Sequence, residues 1–111
     1  MRPEQRDTAY LWDMLDAAEA VATFVAGRGQ DDYEADRMLR SAVERQVEII
    51  GEAAGKVSAD FQSAHPEIPW RGIVAQRHVL AHDYGEVDNS LLWLVATVHS
   101  PELARQLRFA A

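Results

Sequence analysis

The residues with the clearest capacity for chemistry lie together between positions 76 and 88. Arg77 is followed five residues later by His82 and seven residues later by Tyr84, and His78 stands beside the arginine. A histidine titrates near neutral pH, so it can take a proton from a ribose 2′-hydroxyl or give one to a leaving oxygen. A guanidinium can hold a phosphate with two parallel hydrogen bonds and stabilise charge that develops on it. Together such groups could cleave a phosphodiester bond without a metal ion.

Helical geometry decides which of these side chains can meet. On an ideal helix Arg77 and Tyr84 share one face, and His78 and His82 share another. Arg77 and His82 lie roughly 140° apart, so they converge only where the helix ends or distorts near His82. Gly85, just downstream, is a residue type that ends helices. Because a full acid–base cycle needs two proton carriers, two copies of the motif in a two-fold dimer would supply both.

Three other interpretations of these residues stay open at this point. Arg77 could pair with a carboxylate of the next turn, and His82 could cap a helix end, where a positive charge is favourable. His78 and His82 also have the four-residue spacing of zinc ligands on a helix, but the pattern places no acidic residue to complete such a site. Tyr84 could be a half-buried aromatic residue of the core.

The elements that must position this group are helices. A first helix, with Asp7 or Thr8 as its N-cap and Gly27 after its end, is predicted from apolar residues at helical spacing: Leu11, Met14, Leu15, Ala18, Val21, Ala22 and Val25. A second long helix is predicted from Gln30-Asp31-Asp32 to Gly55 or Lys56, with one apolar stripe formed by Leu39, Val43, Val47, Ile50, Ala54 and Val57.

The second half of the chain continues the helical pattern. Ser58 is predicted to cap a short helix, and Pro69 suits the start of the helix that carries the motif and ends at Gly85. A last helix starts at residues 88–90, breaks or restarts at Pro101, and is predicted to place these residues inward: Leu91, Leu92, Leu94, Val95 and Val98. The fold class is therefore an all-α, up-and-down bundle of four main helices plus short helices.

The segment Gly51-Glu52-Ala53-Ala54-Gly55-Lys56 resembles a phosphate-binding loop only superficially. It has three residues between its glycines where that loop has four, and no strand precedes it. The segment instead predicts a helix surface of small residues that a neighbouring helix can approach closely.

Size and composition favour one helical domain over residues 1–111. The chain is 48% hydrophobic, has no cysteine, and contains no apolar run of the ~18 residues that a membrane helix needs. Its start has no signal-peptide pattern, so a cytoplasmic location is expected. The net charge is −7, and residues 1–36 hold nine acidic against three basic side chains, a balance of −6. The remainder is close to neutral and could meet a polyanion, while the acidic third could dock a basic partner.

Several segments together resemble the HEPN superfamily, specifically the HepT-type toxins that pair with minimal nucleotidyltransferase antitoxins. The motif Arg77-x4-His82-x-Tyr84 carries the resemblance. The likeness extends over about residues 7–108, through these further segments: Ala35-Asp36-Arg37, Glu48-Ile49-Ile50-Gly51-Glu52-Ala53-Ala54, His65-Pro66-Glu67-Ile68-Pro69-Trp70 and Leu80-Ala81-His82-Asp83-Tyr84.

The resemblance implies a HEPN-like helical domain that forms a homodimer, with two motifs facing each other as a composite ribonuclease site. Arg77 and His82 would be the catalytic residues of a cofactor-free, metal-independent endoribonuclease that cuts RNA through 2′-hydroxyl attack. Tyr84 would be adenylylated by the cognate nucleotidyltransferase antitoxin, and Glu52 would be an auxiliary residue that lines the cleft.

His78 is a departure from the resemblance, because the position after the arginine is usually a small polar residue. It could add a proton carrier or mark a weaker enzyme. A second hypothesis, from a different class, is a non-catalytic helical module that binds or regulates a nucleotidyltransferase.

Overall fold

A computed structural model describes the backbone of residues 3–82 and 88–110, and the side chains of these residues except 3, 4 and 79–82. The described chain forms seven α-helices and one π-helical turn: α1 Pro3–Val25, α2 Gln30–Ala35, α3 Arg37–Ala54, α4 Ala59–Ala64, α5 Trp70–His82, α6 Asn89–Leu94, the π-helical turn Val95–His99 and α7 Ser100–Ala110. No strand occurs in this part of the chain, which confirms the predicted all-α class. None of its helices is long and apolar enough to cross a membrane.

Helix α1 starts earlier than predicted. It begins at Pro3, so neither Asp7 nor Thr8 is its N-cap. The carboxylate of Asp7 instead accepts hydrogen bonds from the backbone N–H of Ser58, at 2.8 Å, and from the Ser58 hydroxyl, at 2.6 Å. The predicted end is confirmed, since Gly27 takes φ of 73°, a left-handed conformation that glycine adopts without strain.

The predicted second helix is divided at Asp36. This residue has an extended backbone, with φ −106° and ψ 98°, which ends α2 and starts α3. Its side chain accepts a hydrogen bond from the backbone N–H of Leu39 at 3.0 Å and so caps α3. That bond, helped by Arg28, holds the pKa of the Asp36 carboxyl below its ordinary value. The division was not predicted, because the apolar spacing is compatible with one continuous helix on both sides of Asp36.

The core lies mainly between α1, α3 and α7. Every residue of the predicted α3 stripe is buried, including Val57 just beyond the helix. On α1 most of the predicted stripe is buried: Leu11, Met14, Ala18, Val21 and Val25. Leu15 is half-buried and Ala22 is exposed. The helical period therefore identified the core faces of the two longest helices.

The prediction for the last helix was wrong at three positions. Leu92 and Val95 are buried, but Leu91, Leu94 and Val98 are 47%, 44% and 52% exposed. A single helix can turn only one stripe of side chains toward the core, and here that stripe contains Leu92 and Val95. The π-helical turn at Val95–His99 then adds residues to one turn and shifts the register before α7 starts. Helix restarts at Ser100–Pro101 instead of breaking there.

Helix α5 lies at an edge of the bundle. Among the described residues its extensive packing is against α3, whereas α1 packs against both α3 and α7. The side of α5 that faces α7 and the side that faces α4 are both bordered by open grooves. The helix that carries the motif is thus anchored along one face and accessible along two others.

Candidate functional site

Arg77 is positioned by a close approach of α3 and α5. Gly51 of α3 lies against the base of the Arg77 side chain on α5. A Cβ atom at position 51 would overlap Arg77 Cβ and would lie only 3.0 Å from Arg77 Cγ and 3.1 Å from the backbone oxygen of Ile73. The prediction that the small residues at 51–55 admit a close neighbour is confirmed, and that neighbour is the motif helix.

The Arg77 side chain is partly buried and its charge is not neutralised within the described structure. Its Nε atom is buried and has no hydrogen-bond partner among the described residues. No ion pair joins its guanidinium to a described carboxylate either. A buried donor without a partner costs about 1–3 kcal/mol, and an anionic group is one kind of acceptor that could satisfy it. The carboxylates of the following turn, which could pair with Arg77, lie outside the described residues.

The remaining predicted site residues differ in how much of each the structure describes. The backbone of α5 is helical as far as His82, where the described helix ends, but the His82 side chain lies outside the described residues. Tyr84 and Gly85 lie outside them altogether, so the convergence of Arg77 with His82 stays a prediction. His78 is described, is exposed, and lines the groove between α4 and α5.

Glu52 lies beside Gly51 in sequence but occupies a different part of the surface. It lines a small pocket of about 160 Å³ between α1 and α3, together with Tyr10, Asp13 and Lys56. Its Oε1 atom is 3.6 Å from Lys56 Nζ, and that ammonium lies 5.9 Å from the centre of the Tyr10 ring. Arg77 does not line this pocket. The proposed auxiliary role of Glu52 is therefore left as a prediction.

Two grooves border α5, and neither groove was predicted from the sequence. The α5–α7 groove, about 410 Å³, has Val47 and Ile50 of α3 as its floor, with Ile73, Leu91 and Leu103 among its walls. The α4–α5 groove, about 890 Å³, is wide and shallow and is lined by these residues: Gly55, Gln62, Ser63, Pro66, Ile68, Pro69, Trp70, Arg71, Gly72, Val74, Ala75 and His78. Arg71 was missed by the sequence interpretation, although residues 70–82 contain no Asp or Glu, which was a usable signal.

Metal ligands are not grouped in the described part of the chain. Within residues 3–82 and 88–110, apart from the side chains noted above, no cluster of three or more His, Asp or Glu side chains is arranged to hold a metal ion.

Comparisons with known proteins agree on one family. The family model described as "Ribonuclease HepT-like" matches residues 14–110. The chain is 38% identical over 94 residues to a protein of Thermococcus cleftensis named "Probable ribonuclease HepT", with 85% of this chain and 86% of the relative covered. It is 33% identical over 99 residues to a protein of Methanocaldococcus jannaschii named as a candidate RNase, covering 89% and 91% of the two chains. No solved structure matches the chain significantly.

Proposed function

Because the chain belongs to the HepT-like ribonuclease family, we propose that it cleaves RNA without a metal ion and that Arg77 and His82 are its catalytic residues. The observation that carries the proposal is the state of Arg77. A tight glycine contact fixes the base of its side chain, and its guanidinium has no described carboxylate partner. A structural arginine at a helix interface is normally neutralised, whereas an arginine that binds phosphate must keep its charge available.

The reaction that fits these groups is an attack of the ribose 2′-oxygen on the adjacent phosphorus. The bond between phosphorus and the 5′-oxygen breaks, which leaves a cyclic phosphate on one fragment and a 5′-hydroxyl on the other. One imidazole accepts the 2′-hydroxyl proton and another donates a proton to the 5′-oxygen. Arg77 binds the non-bridging oxygens and stabilises their growing negative charge.

A homodimer would supply the two imidazoles from identical positions. The surface that suits such an interface is the uncharged face of residues 89–101, a stretch without Asp, Glu, Lys or Arg. It exposes Leu91, Leu94 and Val98, and Leu91 lines the α5–α7 groove. Residues 89–101 would themselves bring no carboxylate to the interface between two chains that each carry a charge of −7.

Neutralisation is proposed to occur at Tyr84, through a cognate nucleotidyltransferase that would act as the antitoxin of a toxin–antitoxin pair. The transferase would move an adenylate from a nucleoside triphosphate to the phenol oxygen and release pyrophosphate. On an ideal helix positions 77 and 84 would share a face, and the added phosphate would then compete with RNA for the guanidinium.

Co-expression with a neighbouring nucleotidyltransferase tests this regulation. Intact-mass measurement is expected to show the increment of one or more adenylates on the wild type and none on Tyr84→Phe. Expression of the chain alone is expected to arrest growth, and the transferase is expected to rescue it. Rescue of Tyr84→Phe as complete as that of the wild type would contradict neutralisation at this residue.

The second candidate function is a non-catalytic module that binds a nucleotidyltransferase. It is favoured by the outer face of α1, where Trp12 is 66% exposed and Asp13, Asp16 and Glu19 are exposed nearby. An exposed tryptophan among carboxylates is a suitable anchor for a cationic protein surface. This alternative predicts tight partner binding and no RNA turnover by the unmodified protein.

A further inference from the structure

Helix α5 differs in charge from the chain around it. Residues Trp70–His82 contain two arginines, two histidines and no Asp or Glu, in a protein whose net charge is −7. Affinity for an RNA backbone comes largely from cations that neutralise phosphates, and nearby carboxylates weaken it. A strongly acidic ribonuclease therefore needs a local surface from which carboxylates are absent, and α5 provides one.

The arginines of α5 also differ from most other cations in their partners. Five described cations form ion pairs with carboxylates, namely Arg28, Arg45, Lys56, Arg105 and Arg108. Arg71 is exposed. Neither Arg71 nor Arg77 forms an ion pair with any described carboxylate. Arg71 can thus bind a phosphate without first breaking a described salt bridge.

The groove next to Arg71 has the lining that an RNA strand needs. None of the residues that line the α4–α5 groove is acidic, whereas Glu67 and Glu102 line the α5–α7 groove and Asp13 and Glu52 line the small pocket. Its polar groups come from Gln62 and Ser63 of α4 and from Arg71 and His78 of α5. Small residues at positions 72 and 75 keep the groove shallow and open, and a Cβ at Gly72 would meet nothing within 4 Å.

The register of α5 connects this groove with the proposed catalytic histidine. Positions 71, 75, 78 and 82 are separated by four, three and four residues, so they lie along one face of a helix that continues to His82. At 1.5 Å per residue, position 71 is about 16 Å from position 82 along the helix axis. A strand that occupies the groove would therefore run toward the catalytic end of α5.

We propose that the α4–α5 groove binds the sugar–phosphate backbone of the RNA substrate, and that Arg71 contacts a phosphate several nucleotides away from the scissile bond. Arg71 is then a positioning residue and not a catalytic one. The proposal rests on the proposed ribonuclease function and adds a substrate contact outside the Arg77-x4-His82-x-Tyr84 motif.

The test measures binding of a fluorescently labelled single-stranded RNA by anisotropy in an inactive His82→Ala background. Adding Arg71→Ala is expected to raise Kd roughly tenfold, as for loss of one charge-assisted contact. It is also expected to reduce the slope of log Kd against log salt by about 0.7, as for one phosphate of a single strand. Arg71→Lys, which keeps the charge, should retain most of the affinity and the slope.

Arg37→Ala is the matched control, because Arg37 is also exposed and without a described ion pair, but lies at the start of α3. Equal losses for Arg37→Ala and Arg71→Ala, or no loss for Arg71→Ala, would overturn the proposal. So would a change in oligomeric mass in place of a change in RNA affinity, since Arg71 would then belong to a protein interface.

The same experiment separates this inference from the function on which it rests. RNA cleavage by the wild type without any dependence of binding on Arg71 would refute the groove alone. Binding that depends on Arg71 in a protein that never cleaves RNA would refute the ribonuclease proposal alone. Absence of RNA binding altogether would refute both.

Discussion

Arg77 and Tyr33 each have a buried polar side-chain atom without a hydrogen-bond partner among the described residues. The backbone of Arg77 is held by α3–α5 packing, yet its Nε atom is buried without a described partner. The other described side-chain atom in this state is the hydroxyl of Tyr33 on α2, in a core cluster that includes Val21, Val43 and Leu92. The two cases differ in surroundings, because Arg77 borders accessible surface while Tyr33 is fully buried and lies 5.6 Å from the ring of Trp93. Arg77 is therefore the residue of the two that we propose as a substrate contact.

Tyr33 gives the first prediction, which concerns stability at alkaline pH. Burial, followed by the nearby Glu44 carboxylate, raises the pKa of Tyr33 from about 10 to about 12, and Arg40 opposes the shift. The phenol proton is therefore lost at lower pH in the unfolded chain than in the folded one. The contribution of Tyr33 to the free energy of unfolding is fully present below pH 10 and falls as pH rises toward 12. The loss is about 2–3 kcal/mol over that window.

Urea denaturation of Tyr33→Phe at pH 8 and pH 11 measures this effect. The variant is expected to be as stable as the wild type or more stable at pH 8, because it removes a buried hydroxyl without a described partner. The free energy of unfolding of Tyr33→Phe should also fall much less between pH 8 and pH 11 than that of the wild type. Tyr10→Phe should show the same fall as the wild type. An undiminished decline in Tyr33→Phe would contradict the assignment.

At the scale of elements, the contact between α3 and α5 sets the position of the motif. Gly51→Ala is expected to lower the free energy of unfolding by about 1–3 kcal/mol, because the new methyl group would overlap Arg77 Cβ and crowd the backbone of α5. It is also expected to reduce RNA cleavage through displacement of Arg77. Denaturation and cleavage assays on the same preparation measure both effects.

Gly55→Ala is the matched control for that substitution. Gly55 has φ of −66°, a conformation open to any residue, and its Cβ would lie 3.6 Å from the nearest atom outside its immediate neighbours. The free energy of unfolding of Gly55→Ala should stay within about 1 kcal/mol of the wild-type value or increase. Equal losses at positions 51 and 55 would contradict the close-approach argument.

The hydrogen bonds of Asp7 connect the start of α1 with α4. Both carboxylate oxygens bind Ser58, whose hydroxyl oxygen accepts a hydrogen bond from the backbone N–H of Phe61 at 3.2 Å. Asp7→Ala is expected to cost about 1–3 kcal/mol, since it leaves the Ser58 backbone donor without its acceptor. A double-mutant cycle with Ser58→Ala should show coupling between the two sites, and additive losses would contradict the contact.

The helical period predicted most elements because each long helix buries one continuous stripe. It failed where another interaction overrode the period. Asp36 ends one helix and caps the next, and Asp7 serves α4 in place of α1. The π-helical turn changes which residues of the last segment face inward, and side-chain spacing alone does not indicate such a turn. The Asp7–Ser58 contact joins segments 51 residues apart, which a local pattern does not contain. The Asp36 cap is local, but it lies inside a continuous helical pattern of apolar residues.

At the scale of the whole molecule, charge is distributed unevenly along the chain. Acidic residues concentrate on the first third of the chain, α5 lacks them, and residues 89–101 have no charged side chain of either sign. The motif is explicit in the sequence, whereas its catalytic chemistry is a prediction from the family resemblance. The α4–α5 groove and the lack of a described ion pair at Arg71 could not be predicted, because both depend on the three-dimensional arrangement of the helices.

The uncharged face of residues 89–101 leads to a prediction about assembly. Leu94→Lys and Val98→Lys are expected to convert a dimer to monomers, since each would bury an unpaired ammonium in an apolar interface. Met38→Lys is the control, because Met38 is 81% exposed on α3. Light scattering coupled to gel filtration measures the mass. A dimer that survives both substitutions would contradict this interface.

The central claim is that Arg77 and His82 cleave RNA without a metal ion, and one assay tests it most directly. Unmodified protein is incubated with labelled RNA in excess chelator, and the cleavage rates of wild type, Arg77→Ala, His82→Ala and Arg37→Ala are compared. The wild type and Arg37→Ala are expected to cleave at similar rates, while the two motif variants lose at least about a hundredfold. Full activity in either motif variant, or a wild type that the chelator inactivates, would contradict the account.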